Sequence, residues 1–356
     1  MFVAWRDLRF ARGRFALMGA VVVLITMLVG LLSGLTAGLA RDSTSAISQL
    51  PADHLVFSTP PGSAAPSFTS STIDVQTRRA WAQTPGVTAV EPLGLSTTRA
   101  EASTATAVVT AVGIEQASRL GPDGSGVAPG TVTLSDKAAD DLGAGIGSTV
   151  SVAGLSLDVV AISGDASYSH VPVMWTNLDD WQRLSPGSSP HSTVLAVTTE
   201  HGADLAAADT RLGTTTLSRA DALSAIGSYT SENGSLQLMR GFLFAISALV
   251  IGAFFTVWTI QRSGDIAVLK ALGASTGYLL RDALGQATVL LVGGTAIGIG
   301  VAAGLGTLAT DTVPFVLDAA TVLLPGSVTI VLGVLGAALS IRRITAVDPL
   351  TALSAR

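Results

Sequence analysis

The residues best arranged to do chemistry or mechanical work in this chain lie in "QRSGDIAVLKALGAS", positions 261–275. Ser263 suits a helix N-cap. Asp265 falls in the electropositive first turn, Lys270 in the electronegative last turn, and Gly273 where the helix must stop. Ile266, Leu269 and Leu272 recur every three residues, with Val268 beside them, and form an apolar stripe that must be covered by something. An inner membrane surface, the chain's own front segment or a groove on a partner would each serve, and the pattern leaves those three open.

Bond-making chemistry finds no comparable arrangement. "GAGIGSTV" at 143–150 has the glycines of a phosphate loop without its lysine, and reads as a turn between a helix and a strand. The histidines His54, His170, His191 and His201 are scattered, and neither HExxH nor GxSxG occurs. No catalytic residue, bound cofactor or metal site is expected, and the chain is not read as an enzyme.

The elements that must carry the 261–275 segment follow from hydropathy. Mean hydropathy is +0.56 and only 13% of residues are charged. Four runs, Phe15–Ala40, Gly241–Ile260, Gly285–Thr310 and Ala319–Ile341, contain no ionisable residue, and each matches the roughly 20 residues needed to cross a bilayer. The expected spans are 15–40, 236–260, 285–310 and 319–341. They are joined by a loop over 261–284 and a short link over 311–318, with an amphipathic helix over 1–14 in front and a tail over 342–356 behind. Arginines and lysine mark the front, the loop and the tail, whereas the 311–318 link has none. The positive-inside rule therefore puts both termini and the 261–284 loop in the cytoplasm of a bacterial cell-membrane protein, with residues 41–235 outside. The first run is too long for a cleaved signal and is read as an anchor.

The 41–235 region holds nine basic and nineteen acidic residues, a net of −10, which argues against nucleic acid as a partner. Cysteine is absent, so this region stands on its packed core. "ADHLVFS", "TATAVVTAVGI" and "STVLAVTT" read as strands. Ser135 and Asn177 look like helix caps, Gly143 ends a short helix, and a final helix is expected over roughly 219–239. The fold class is four transmembrane α-helices plus an extracytoplasmic α+β domain inserted between the first and second.

Gly30, Gly34 and Gly38 in the first span, and Gly294/Gly298 and Gly300/Gly304 in the third, repeat at four-residue steps that allow close helix approach. The empty span interiors lack the ionisable groups of an ion-coupled carrier, so energy and a second copy must come from elsewhere.

"RSGDIAVLKALGASTGYLLRDAL" resembles the cytoplasmic loop of the MacB/FtsX-like permeases. "RRITAVDPLTAL" is similar to that family's tail, "VTLSDKAADDLGAGIGSTVSVAGLSLDVVAI" to its outer core domain, and "WRDLRFARGRF" to its start. Gly264-Asp265 departs from the pattern, which more often has two charged residues there. The resemblance implies an ABC transporter membrane subunit that forms a homodimer. Two separate ATPase subunits would hold the ATP-Mg and dock on Asp265, Ile266, Leu269, Lys270, Leu272 and Gly273. "FVAWRDLRFARGRFALM" and "ADHLVFS" resemble, more narrowly, the haem-exporting HrtB-like permeases, which implies haem or another amphipathic compound as cargo. Met239 is then the best-placed soft haem contact, alongside its plain reading as an interfacial methionine; His54 and Tyr168 are further candidates. A non-transporting relay that regulates an envelope enzyme or sensor through the outer domain, and a membrane-anchored binding protein with no ATPase, are the alternatives.

Overall fold

The structure is a computed structural model that describes residues 12–59, 65–185, 190–261, 264, 268, 272–309 and 313–345. The chain divides into two compact units, Met1–Gly38 with Gly234–Arg356, and Leu39–Asn233. These limits fall two residues from the expected boundaries at 41 and 235. Most of the expected 1–14 helix and most of the 342–356 tail lie outside the described residues.

Four helices are long and apolar enough to cross a membrane: α1 (Arg12–Ser48), α6 (Gly227–Gln261), α7 (Thr276–Ala309) and α8 (Ala319–Thr345). A bilayer core offers no hydrogen-bond partners, so backbone crossing it must satisfy itself, as a helix does. At a rise of 1.5 Å per residue, the 37 residues of α1 extend roughly 55 Å, well beyond a hydrocarbon core of about 30 Å. Its last turns belong to the outer unit. The expected helix over 219–239 begins instead at Gly227, because Asp221–Ala225 is a 3₁₀ turn and buried Ile226 is extended. α7 starts at Thr276 rather than 285, with Ser275 Oγ accepting from the Tyr278 amide at 3.3 Å. Asp318 caps α8 by accepting from the Thr321 amide at 2.6 Å.

The outer unit is a mixed sheet with helices on its faces. Its strands are β1 (His54–Ser58), β2 (Ile73–Asp74), β3 (Val87–Glu101), β4 (Thr106–Ile114), β5 (Thr131–Leu134), β6 (Thr149–Val152), β7 (Leu155–Ile162), β8 (Ser167–Tyr168), β9 (Val171–Asn177), β10 (His191–Ser192), β11 (Val194–Thr199) and β12 (Thr214–Ser218). Short helices α2 (Val75–Ala82), α3 (Asp136–Leu142), α4 (Leu178–Leu184) and α5 (Leu205–Leu212) lie between them. The main sheet runs β12-β1-β11-β3-β4-β9-β5-β7-β6, and β6 pairs back onto β3 at Ala100 and Glu101. The last six strands thereby close a ring, and its inward residues Val109, Ala111, Val132, Leu134, Val150, Leu157 and Met174 form one core.

The open part of the sheet buries both faces. Leu55 and Phe57 point to a core that also takes Ile47 and Leu50 from the end of α1, while Val56, Leu195 and Val197 point to Trp81 and Ala208 of α2 and α5. Strict alternation of sides explains why "HLVFS" is apolar throughout its middle. Ser135 and Asn177 cap α3 and α4 as expected, and Gly143 ends α3 in the left-handed region at φ 59°.

Gly94 of β3 and Gly113 of β4 are register partners, and the Trp181 indole lies across both, where any Cβ would enter the ring. Gly94→Ala should therefore lower stability by roughly 1–3 kcal/mol through overpacking, read by thermal unfolding of the purified chain. Gly145→Ala, which meets open space, should stay within about 0.5 kcal/mol; equal losses at both would show that the glycine pair does not seat the indole.

Candidate functional site

Of the 261–275 segment, Ser263, Asp265, Ile266, Leu269 and Lys270 lie outside the described residues. The rest is informative. Gly264 and Val268 are helical, the Leu272 amide donates to the Val268 carbonyl at 3.0 Å, and Gly273 has φ 93°, a conformation that favours glycine. Leu272 is 79% exposed and Val268 57% among the described residues.

The glycines of the spans do three different jobs. Gly30 faces the Ala302 methyl of α7, where a Cβ would sit 3.0 Å away; Gly294 faces Val22, and Gly298 faces the Val23 carbonyl and Thr26, so α1 and α7 approach along these positions. At Gly34 and Gly38 the expectation of a helix partner is corrected. The neighbour is the outer link: the Phe315 ring fills the space over Gly34 and also over Gly306, and the Pro314 carbonyl lies over Gly38. The Val316 amide donates to the Gly34 carbonyl at 3.1 Å. Gly300 and Gly304 meet open space among the described residues. At 100° per residue, 300 lies about 200° from 298 and faces away from the buried 291–294–298–302 edge.

The three candidate haem contacts are divided between the two units. Met239 is half-exposed in the membrane unit. His54 opens β1 in the outer unit, between Val197 and Ser218, with its Nδ1 buried and without a partner among the described residues. Tyr168 is buried with its ring edge-on to Phe68 at 5.7 Å, and burial pushes its phenol pKa up. No hydrogen bond or ring contact joins His54 to Tyr168 among the described residues.

A denser constellation, which no local sequence pattern announces, joins the outer ends of α1 and α6 within the outer unit. The turn between β8 and β9 holds Ser169 and His170 at φ 51° and 65°, a strain of order 1 kcal/mol each for side chains other than glycine. His170 Nδ1 lies 3.0 Å from Asp42 Oδ2 of α1, and Nε2 lies 2.7 Å from Glu232 Oε2 of α6. Two carboxylates only accept, so both ring nitrogens must donate, and the bridge is complete with His170 as imidazolium. Burial of the ring opposes that charge. The hydrogen bonds to Glu232 and Asp42, with the charges of those groups, outweigh it and raise the His170 pKa. Lys137 Nζ adds a longer contact to Asp42 at 3.5 Å.

Backbone and hydroxyl bonds fasten the same turn. The Ser169 amide donates to the Ser43 carbonyl at 2.9 Å, the Ser167 amide to Ser45 Oγ at 2.8 Å, and the Ser169 and Ser228 hydroxyls meet at 3.0 Å. The available signal was an acidic residue just outside each of the first two spans, Asp42 and Glu232. It was invisible as a pair because their common partner lies more than 60 residues from either.

Comparison with known proteins bears on the whole chain. Residues 15–215 match the model of the MacB-like periplasmic core domain, and residues 238–349 that of the FtsX-like permease C-terminal region. A Staphylococcus haemolyticus protein assigned as the hemin transport system permease HrtB is 26% identical, over 99% of both chains. An uncharacterized ABC transporter permease of Mycobacterium tuberculosis is 26% identical over 98% of both. Among solved structures, the periplasmic region of MacB from Actinobacillus actinomycetemcomitans shares 10% identity over 48% of this chain and 90% of its own, with a TM-score of 0.36.

Two outcomes test the geometry. Gly38→Ala, which would drive a methyl into the Pro314 backbone, should lower thermal stability by roughly 1–3 kcal/mol. Gly300→Ala should leave it unchanged, and the reverse order would refute the packing described.

The His170 bridge gives a pH dependence whose sign follows from its raised pKa. Its contribution is full below the ordinary imidazole value of about 6.5 and is lost as pH rises through the higher folded value. With the three side chains 18–45% exposed, the loss should be about 1 kcal/mol. Melting curves between about pH 6 and pH 9 should slope more steeply for the native chain than for His170→Gln; parallel curves would show that the bridge does not titrate.

Proposed function

Because the chain belongs to the FtsX-like and MacB-like family of ABC transporter permeases, we propose that it works as a homodimer exporting haem or another amphipathic compound. The family membership makes it a permease subunit served by an ATPase partner, and the four spans with their outer domain make it a multi-pass protein of the cytoplasmic membrane. In the proposed mechanism two ATPase subunits, which hold the ATP-Mg, seat the 261–275 segment in a groove on each. Ile266, Leu269 and Leu272 enter the groove, Asp265 and Lys270 lie at its rim, and Gly273 ends the helix.

The observation that carries this reading is that α1 and α6 stay helical from span to outer unit, where Asp42 and Glu232 are held by one histidine. A helix is stiff along its axis. In the proposed mechanism, rearrangement of the spans on nucleotide binding is passed along these two helices to the outer unit. The exposed Leu272 supports the docking role, since a large apolar side chain open to solvent favours a partner surface. Haem as cargo is supported by the assigned role of the staphylococcal relative, and Met239 stays its best-placed soft contact.

Leu269→Glu and Leu272→Glu, co-expressed with the cognate ATPase subunit, should each reduce its co-purification and the ATP hydrolysis of the complex by more than tenfold. Undiminished association in both variants would overturn the docking role. Cells lacking the chain should accumulate haem and grow poorly in it; tolerance equal to the parent would remove haem as cargo and leave docking standing.

A further inference from the structure

The outer unit holds a cavity of about 450 Å³ between the end of α1 and the turn following β4. No role assigned above uses it. Its apolar floor is Leu50, Leu120 and Trp175, all buried. Polar groups enter from Gln49, Arg119 and Asp123. No histidine, methionine, cysteine or tyrosine lines it, so a metal would find no soft ligand there.

The turn that forms one wall is tight. Asp123 and Gly124 adopt φ 60° and 70°, and the Gly124 amide donates to the Gly121 carbonyl at 3.1 Å. A Cβ on Gly121 would enter the Ser125 carbonyl. Asp123 is engaged, because its Oδ2 accepts from Ser163 Oγ at 2.8 Å. Glu91 is engaged too: its Oε2 accepts from Ser118 Oγ and from the Arg119 amide. The Arg119 guanidinium is engaged only at its Nε, by a long ion pair. Its Nε stands 3.8 Å from Glu91 Oε1, its side chain is 66% exposed, and its terminal amino groups carry no hydrogen bond among the described residues. A planar fork of N–H donors held beside an apolar floor is the arrangement that recognises a carboxylate attached to a hydrophobic body.

We propose that this cavity binds an amphipathic carboxylate, its apolar body on Leu50, Leu120 and Trp175 and its carboxylate on Arg119. The inference deepens the export reading, on which it rests for its view of cargo, by naming the chemical class the outer unit takes. A porphyrin would be held here by a carboxylate side chain and not by its metal. The net lining charge, one guanidinium against one carboxylate already capped by a hydroxyl, selects a ligand with few anionic groups over a polyanion.

The test uses the full chain in lipid nanodiscs and two probes, metal-free protoporphyrin IX and its dimethyl ester, with tryptophan quenching as readout. The diacid should bind saturably, the ester at least tenfold more weakly. Arg119→Gln, a surface change that should leave the melting temperature intact, should weaken the diacid about tenfold without altering the ester. Gln49→Arg, which adds a second cation, should tighten the diacid severalfold. Equal binding of acid and ester, or indifference to Arg119→Gln, would each overturn the proposal. None of those results would touch the export reading, which stands or falls on ATPase association and haem tolerance.

Discussion

The tie between Asp42, His170 and Glu232 is the interaction on which the rest of the arrangement depends. Within a bilayer, helices can hold one another only by close packing and a few hydroxyl bonds, because a charge there lacks water to solvate it. The four apolar runs accordingly contain no ionisable residue. A strong and directional link between the first two long helices has to be made outside the membrane. Here it is made within a single turn of the outer domain, by one imidazolium shared between two carboxylates. The turn accepts two strained residues to present that ring. Its serines return several backbone and hydroxyl bonds to α1 and α6, so the strained conformation is over-determined by its surroundings.

Position within the sheet gives the tie its reach. Tyr168 and Val171 flank the strained pair and are themselves register partners in β8 and β9. β9 then runs between β4, to which it is parallel, and β5, to which it is antiparallel. It is a central strand shared by the two larger cores: Val173 and Trp175 belong to one, Met174 to the other. Whatever moves the turn moves a strand that both cores pack against. Cysteine-free packing suffices for such a domain, because the ring of six strands and the α1-facing core each bury continuous apolar surface.

How much of this was legible in the sequence depended on the range of the signal. Four spans, their sidedness and the insertion of a strand-rich domain follow from runs of like residues and from the placement of arginines, both of which are local sums. The caps Ser135 and Asn177 and the stop at Gly143 were readable because a cap needs only its own next three residues. Long-range facts were not. The Gly34 and Gly38 steps announced a close approach correctly, but the spacing cannot say whether a helix or a loop arrives, and it is Phe315 and Pro314 that fill the space. Gly300 and Gly304 carry the same spacing and meet open space among the described residues, since a motif of two small residues does not specify which face is buried. β12 and α5 went unread because "ADLAAADTRLGTTTLS" lacks a strong apolar period. His170 was passed over because a lone histidine in a loop has no local mark of a shared partner.

One helix collects most of these functions. Along α1, positions 30, 34, 38 and 42 stand at four-residue steps, which keeps them near one face with a drift of about 40° per step. Gly30 meets α7, Gly34 and Gly38 meet the outer link, and Asp42 meets His170. Ser45 and Leu50 then close on the turn and on the cavity beyond it. The stripe thus changes from glycine, where backbone must approach backbone in an apolar medium, to carboxylate, where water and a cation are available. That change in residue type tracks the change in solvent along a single rod.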